Sequence, residues 1–378
     1  MGKIVVIINK VIPYFKVTTF IWYTKILESN AWMHLQKVIS IGEFSRIFLK
    51  RMVLKINWQC YGSRKINKTP SLSFANKMQQ DSIQVVPLSK MEEALEIKEY
   101  LLKSKLPIVF LHNTNSDYLK FSLGQAKHSN PQSTIYLIGD DSNDCYNFVE
   151  FHSLSNYFQG ADDFSKIYRH FNTTPYKYEL FCFQRWFILH EFLVASNIEK
   201  CLYLDSDTML YTDVTDEHKK FGPFDFTLSF KTCGSLFFLN RIEALADFCQ
   251  FLTDIYTKKE RLYFDRMLAQ FATFKKNGMA GGACDMTAFD FYSYEHFGEI
   301  GEVSQIIDGS VHDPGINVPQ PGFEMEKGIK KIIWKDAVPY GIQLRTAEEI
   351  KFNSLHFQGE SKRFLNQYYT GAIYEIGS

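Results

Sequence analysis

Residues 198–210 read Ile-Glu-Lys-Cys-Leu-Tyr-Leu-Asp-Ser-Asp-Thr-Met-Leu. Cys201 to Leu204 is a short apolar run, suited to a strand buried on both faces. It runs into Asp205-Ser206-Asp207. In an extended chain, positions i and i+2 project to one side, so the spacing predicts two carboxylates facing one point. Such carboxylates repel unless a cation lies between them, and a hard divalent ion with oxygen ligands is the natural occupant. In open α/β sheets, ligands bind beyond the carboxyl ends of the strands, where this pair stands. The triplet alone is weak, because with Asp at about one residue in twenty a chain of this length holds roughly one Asp-x-Asp by chance.

Working outward, the pattern before this strand is strand–helix alternation. Pro107 to Leu111 reads as a strand ending in His112-Asn113-Thr114-Asn115, followed by a helix over 117–128. Thr134 to Ile138 is a second strand, ending at Gly139-Asp140-Asp141, and Tyr178 to Ser196 is a helix leading to the central strand. This order implies a largely parallel sheet. Beyond Asp207, Phe226–Phe230 and Ser235–Asn240 read as strands around Cys233-Gly234. Arg241 to Tyr256 is an amphipathic helix, and a Gly-rich loop at 278–285 precedes a helix over 286–297. Residues 300–345 are strand-like pieces broken by Gly and Pro.

The chain has 378 residues, enough for one large domain with an extension. It is rich in aromatics, with 34 Phe and 21 Tyr, which suits a large core and surfaces for stacking sugars or bases. Net charge is zero, but residues 1–80 carry 13 Lys+Arg against 2 Asp+Glu, so +11 is offset by −11 in the rest. A basic segment ahead of an acidic body fits an arm for an anionic surface, with membrane lipid ahead of nucleic acid; an unconstrained leader is the alternative. Residues 4–23 are apolar but broken by Lys10, Pro13 and Lys16, so neither a spanning helix nor a signal peptide is expected. An interfacial helix within 15–58 is compatible with the composition, residues 61–80 read as a linker, and 90–104 look helical. The seven cysteines (60, 145, 182, 201, 233, 249, 284) are odd in number and contain no Cys-x-x-Cys, the usage of a reducing compartment such as the cytoplasm.

The second chemical motif is His356-Phe357-Gln358-Gly359-Glu360-Ser361-Lys362, behind a short strand at 352–355. By chance such a His-x-x-Gly-x-x-Lys should occur only about 0.04 times in this composition. A neutral imidazole adds a third ligand that suits Mn²⁺ better than Mg²⁺. A glycine lets backbone N–H groups approach a phosphate, and a lysine three residues on supplies a mobile positive charge.

Together, Tyr203-Leu204-Asp205-Ser206-Asp207 and His356-x-x-Gly359-x-x-Lys362, about 150 residues later, resemble glycosyltransferases of the GT-A fold, nearest to the retaining family 8 type. The resemblance covers roughly 106–370. It implies an α/β nucleotide-diphospho-sugar transferase domain over 86–378, with a mostly parallel sheet flanked by helices, after a basic extension over 1–85. It implies that Asp205, Asp207 and His356 hold Mn²⁺ (or Mg²⁺), and that Ser206, Gly359 and Lys362 bind the UDP-sugar donor. Arg185 falls near the donor sugar, with a helix-end arginine as the alternative. The family's Asn-x-Gly turn corresponds to Thr232-Cys233-Gly234, where Thr232 replaces the Asn. Asp285 resembles the sugar-binding aspartate, with a helix N-cap as the alternative. His112 and Asn113 fall beside the uridine, and Asp140 on the base or ribose side or in a plain turn. The catalytic set implied is Asp285, Arg185 and Lys362, transferring a hexose to a hydroxyl on a glycan, lipid-linked or protein acceptor, with retention as a property of the family. The expected location is cytoplasmic, with peripheral membrane contact through the basic segment. A nucleotidyltransferase would want a Gly-rich loop after the first strand, which His112 to Ser116 is not. A binding protein that lost catalysis would not need both motifs intact.

Overall fold

The computed structural model describes residues 105–371. The expectations for the basic segment, the linker, the helix over 90–104 and the boundary at 85 lie outside these residues.

The described chain opens with β1 (Ile108–His112), α1 (Leu119–Ser129), β2 (Ile135–Gly139), β3 (Glu150–Ser153), α2 (Gln159–Ile167) and α3 (Tyr176–Ala195). Then come β4 (Cys201–Asp205), β5 (Thr208–Leu210), β6 (Phe226–Leu228), β7 (Leu236–Leu239), α4 (Ile242–Tyr256), α5 (Arg261–Lys276) and α6 (Asp285–Glu295). The last part is strands, β8 (Ile300–Glu302), β9 (Ser310–His312), β10 (Met325–Glu326), β11 (Ile329–Lys330), β12 (Ile333–Lys335), β13 (Val338–Ile342) and β14 (Glu349–His356), closed by a 3₁₀ helix over Gly359–Tyr368.

Seven strands form the central sheet in the order β3-β2-β1-β4-β7-β6-β8. Only β7 runs against the others. The mostly parallel α/β expectation therefore holds. Its strands read as unbroken apolar runs because both faces are covered. Val109, Leu111, Cys201, Tyr203, Phe237 and Leu239 point into one core with the aromatic faces of α3, α4 and α6, where Phe248 and Phe289 stack at 3.9 Å. Ile108, Phe110, Leu202, Leu204, Leu236 and Phe238 alternate into the other, under α1.

β1 has β2 on one side and β4 on the other. The chain order reverses there, so the carboxyl ends of β1 and β4 flank a crevice, the standard ligand position of such sheets. A second sheet joins β12, β13, β14 and β5 antiparallel, with β9 parallel to β14. β5 thus leaves the central sheet directly after the Asp pair and hydrogen-bonds to a strand near the C-terminus.

Four of these elements went unread in the sequence: β3, α2, β5 and α5. The strand predicted over 226–230 ends at Leu228, because Phe230 and Lys231 take left-handed conformations (φ 54° and 56°) in a tight turn. The loop before α6 is set by backbone packing. Gly282 (φ +153°) pairs with Asn172, and a Cβ there would stand 2.2 Å from the Phe171 carbonyl oxygen and 2.7 Å from Asn172 Cα. Backbone cannot yield as a side chain can, so Gly282→Ala is expected to cost about 3 kcal/mol or more, read as a fall in thermal or urea stability.

Candidate active site

The Asp pair converges by a turn rather than by strand pleating. β4 ends at Asp205, Ser206 and Asp207 form a turn, and β5 starts at Thr208. The correction to the extended-chain expectation has a plain cause: β5 must leave the central sheet to pair with β14. In that pairing Thr208 opposes His356, and the Phe357 N–H donates to the Asp207 carbonyl at 2.9 Å. Register alone therefore delivers the distant imidazole to the acidic pair. Ligating atoms of Asp205, Asp207 and His356 all lie within 4.8 Å of one another.

Each member is held by the fold. His356 is buried; its Nδ1 donates to the Pro314 carbonyl at 3.0 Å, leaving Nε2 toward Asp207 Oδ1 at 3.4 Å. Lys362 Nζ stands 3.2 Å from Asp207 Oδ2 and 5.6 Å from the centre of the Tyr118 ring. Burial works against the charge on His356, but the Asp207 carboxylate outweighs it and lifts the imidazole to about 9. Burial likewise pushes Asp207 up, yet His356 and Lys362 together hold it below the usual carboxylate range. His112, at the end of β1, shares a hydrogen bond with the Ser206 hydroxyl at 2.9 Å. Burial, helped by Lys362 and opposed by Asp207, lowers it to about 4, so it is neutral at pH 7.

A guanidinium joins this cluster to α6. Arg185 Nη1 donates to Asp205 Oδ1 at 2.6 Å, and Nη2 to Asp285 Oδ2 at 2.7 Å. Trp186 Nε1 adds a 3.1 Å bond to the same Asp285 oxygen, and the Tyr203 hydroxyl a 3.0 Å bond to Asp205 Oδ1. Trp186 and Tyr203 were missed in the sequence; the only available signal was adjacency to Arg185 and to Asp205. Asp285 is not an N-cap: Cys284 holds that position and Asp285 is the first helical residue. The thiols nearby are not poised as nucleophiles, since burial pushes Cys233 up to about 11 and Cys284 up to about 12.

The remaining expected residues divide. Gly234 lies against Trp186, whose ring a Cβ would meet at 2.4 Å, so close packing by itself requires glycine there. Gly359 (φ +59°) has open space around its missing Cβ. Asn113 and Asp140 are exposed on the loops after β1 and β2; the Asp140 side chain caps the turn at Ser142, and only its backbone N–H reaches the cluster, donating to the His112 carbonyl at 3.3 Å. A cleft of about 250 Å³ beside Lys362 is lined by Asp117, Tyr118, Phe121, Arg363 and Asn366.

Glu179, on α3, is 3% exposed, and one carboxyl oxygen accepts from the Thr174 hydroxyl at 2.7 Å while the other has no partner. Burial raises its pKa, Thr174 opposes, and Asp285 adds to the rise. An acid whose folded pKa is raised loses stability as pH climbs from the unfolded value toward the folded one. Glu179→Gln is therefore expected to raise the melting temperature at pH 7 and leave it unchanged near pH 4.

No family model matches the sequence, and no curated protein matches it. Among solved structures, the glycosyltransferase GlyE of Streptococcus pneumoniae TIGR4 is similar over 53% of this chain and 45% of its own, at 14% identity and a TM-score of 0.27. Its apo form is similar over 57% and 47%, at 13% identity and a TM-score of 0.27. The chain spans about half the length of these structures. So slight an overlap carries no argument, and the assignment rests on the residues.

Proposed function

We propose that this chain is a metal-dependent glycosyltransferase that moves a hexose from a UDP-sugar to a hydroxyl acceptor with retention. One observation carries the reading: Asp205, Asp207 and His356, joined only by the β5–β14 register, present ligating atoms within 4.8 Å of one another. Two carboxylates and an imidazole are a donor set for Mn²⁺, with Mg²⁺ the poorer fit. Neighbouring ligands at about 2.1 Å from one ion stand about 3 Å apart, close to the 3.4 Å between Asp207 Oδ1 and His356 Nε2. Both protein contacts of Asp205 use Oδ1, so Oδ2 is the oxygen it can offer. When bound, the cation supplies positive charge to the diphosphate of the donor.

The chain's own residues do the rest. Lys362 brings a second positive charge to the leaving diphosphate, where negative charge grows as the glycosidic bond breaks. Neutral His112 and Ser206 line the same edge. Tyr118 and the adjoining cleft offer a flat apolar face and polar rim for the base. Arg185 and Asp285 form the wall for the sugar, held to each other at 2.7 Å. The acceptor is a glycan, lipid-linked sugar or protein. Among the described residues no helix is long and apolar enough to cross a membrane. We place the enzyme in the cytoplasm, with the basic extension meeting an anionic membrane surface.

A screen of UDP-sugars with purified protein tests this directly. UDP release is expected with at least one donor, and only with Mn²⁺ or Mg²⁺ present. No release from any donor, together with no UDP binding, would overturn the assignment.

A further inference from the structure

Behind His356 lies a charge pair that the sequence does not announce. Lys330 and Asp313 both have fully buried side chains, with Nζ to Oδ1 at 2.6 Å. Lys330 also donates to the carbonyls of Gly315, at 2.7 Å, and Val318. The other Asp313 oxygen, Oδ2, accepts the backbone N–H of His356 at 3.2 Å. Between these ties sits Pro314, whose carbonyl receives His356 Nδ1–H at 3.0 Å. The Ile316 N–H returns to the His356 carbonyl at 2.8 Å, and the Lys330 N–H to the Ile316 carbonyl at 2.7 Å. Gly315 packs on Gln358, inside the His356–Lys362 motif.

Burying a lysine and an aspartate is expensive, and for stability alone an apolar pair of similar volume serves as well or better. The charges here are spent on one short loop: every acceptor of Lys330 lies in residues 313–318. That loop fixes which imidazole nitrogen is held by a backbone acceptor and which faces the Asp pair, the outer-shell arrangement that orients metal-binding histidines. We propose that Lys330 and Asp313 are positioning residues for the cation site: they pin residues 313–318 so that the Pro314 carbonyl holds His356 Nδ1–H and Nε2 is presented to Asp207. The link to metal rests on the cation reading above, whereas the control of the imidazole does not.

The test separates the two. Lys330→Met strands the Asp313 charge in the core and is expected to compromise folding. The double variant Asp313→Asn/Lys330→Met removes both charges and keeps an acceptor for the His356 N–H, so it is expected to fold. In metal-free protein with ¹⁵N-labelled histidine, the wild type should show a His356 Nδ1–H fixed on its Pro314 acceptor and protected from exchange, and the double variant should lose that protected signal. Titration with Mn²⁺ should show affinity weakened about 10–100-fold. Lys331→Met, which breaks a solvent-exposed pair with Glu324, should change neither readout.

A folded double variant that keeps the fixed Nδ1–H overturns the proposal whatever its Mn²⁺ affinity. Loss of the Nδ1–H with Mn²⁺ affinity unchanged overturns the positioning role as well. A wild type that binds no Mn²⁺, yet whose Nδ1–H is lost in the double variant, leaves the control of His356 standing and removes the cation reading instead.

Discussion

Asp207→Ala is expected to abolish Mn²⁺ binding and to lower UDP release about a thousandfold or more, in a chain that still folds. Asp207 is 7% exposed and is the carboxylate that both His356 and Lys362 face, at 3.4 and 3.2 Å. Without it the imidazole and the ammonium confront each other with no anion between, and the other carboxylate of the pair is already engaged by Arg185. The cation would then be left one carboxylate and one imidazole. A single lost electrostatic contact at such a centre costs about 3–4 kcal/mol of transition-state stabilisation, and here the anchor of several contacts goes at once. Asp207→Asn keeps the volume and an acceptor for Lys362, so comparable loss in Asn and Ala would identify charge, not shape, as the requirement. UDP release alongside circular dichroism reads both. Activity of Asp207→Ala within tenfold of wild type would remove the central carboxylate from the mechanism.

What the sequence disclosed followed the distribution of signal. The central strands were legible because strands covered on both faces must be apolar at every position, as Cys201–Leu204 and Leu236–Leu239 are. β3 was not, being a half-exposed strand of Glu-Phe-His-Ser at the edge of the sheet. α5 was missed because it lies on the surface, burying only Tyr263, Phe264 and Met267 and leaving Leu262 and Leu268 exposed. At the site, the acidic pair and the histidine motif were readable as local patterns. Their meeting was implied only by the family resemblance and not by either pattern, because it depends on β5 crossing to a strand that begins more than a hundred residues later. Lys330 and Asp313 lie further from view. Each looks like an ordinary surface charge, in Ile-Lys-Lys-Ile and His-Asp-Pro-Gly, and only the loop between them turns the two into a buried pair.

Arg185 carries the other large effect, and it divides into two measurable parts. Its guanidinium spans Asp205 and Asp285 with one nitrogen on each, at 2.6 and 2.7 Å, and stacks over Trp186 with 4.6 Å to the ring centre. Arg185→Leu leaves Asp285, which is 4% exposed, with a buried charge and only Trp186 as a donor from that side. Removing one partner of a buried pair costs about 3–5 kcal/mol, so this variant should unfold at markedly lower urea concentration. Arg185→Lys restores the charge but not the fork, since an ammonium is a point donor on a flexible stem. It should regain most of the stability and still release UDP about a hundredfold more slowly, because the Asp285 wall would no longer be locked to the acidic pair. Stability follows the charge and turnover follows the geometry. A lysine variant with wild-type turnover would mean that the bridge holds α3 to α6 and does nothing for the sugar.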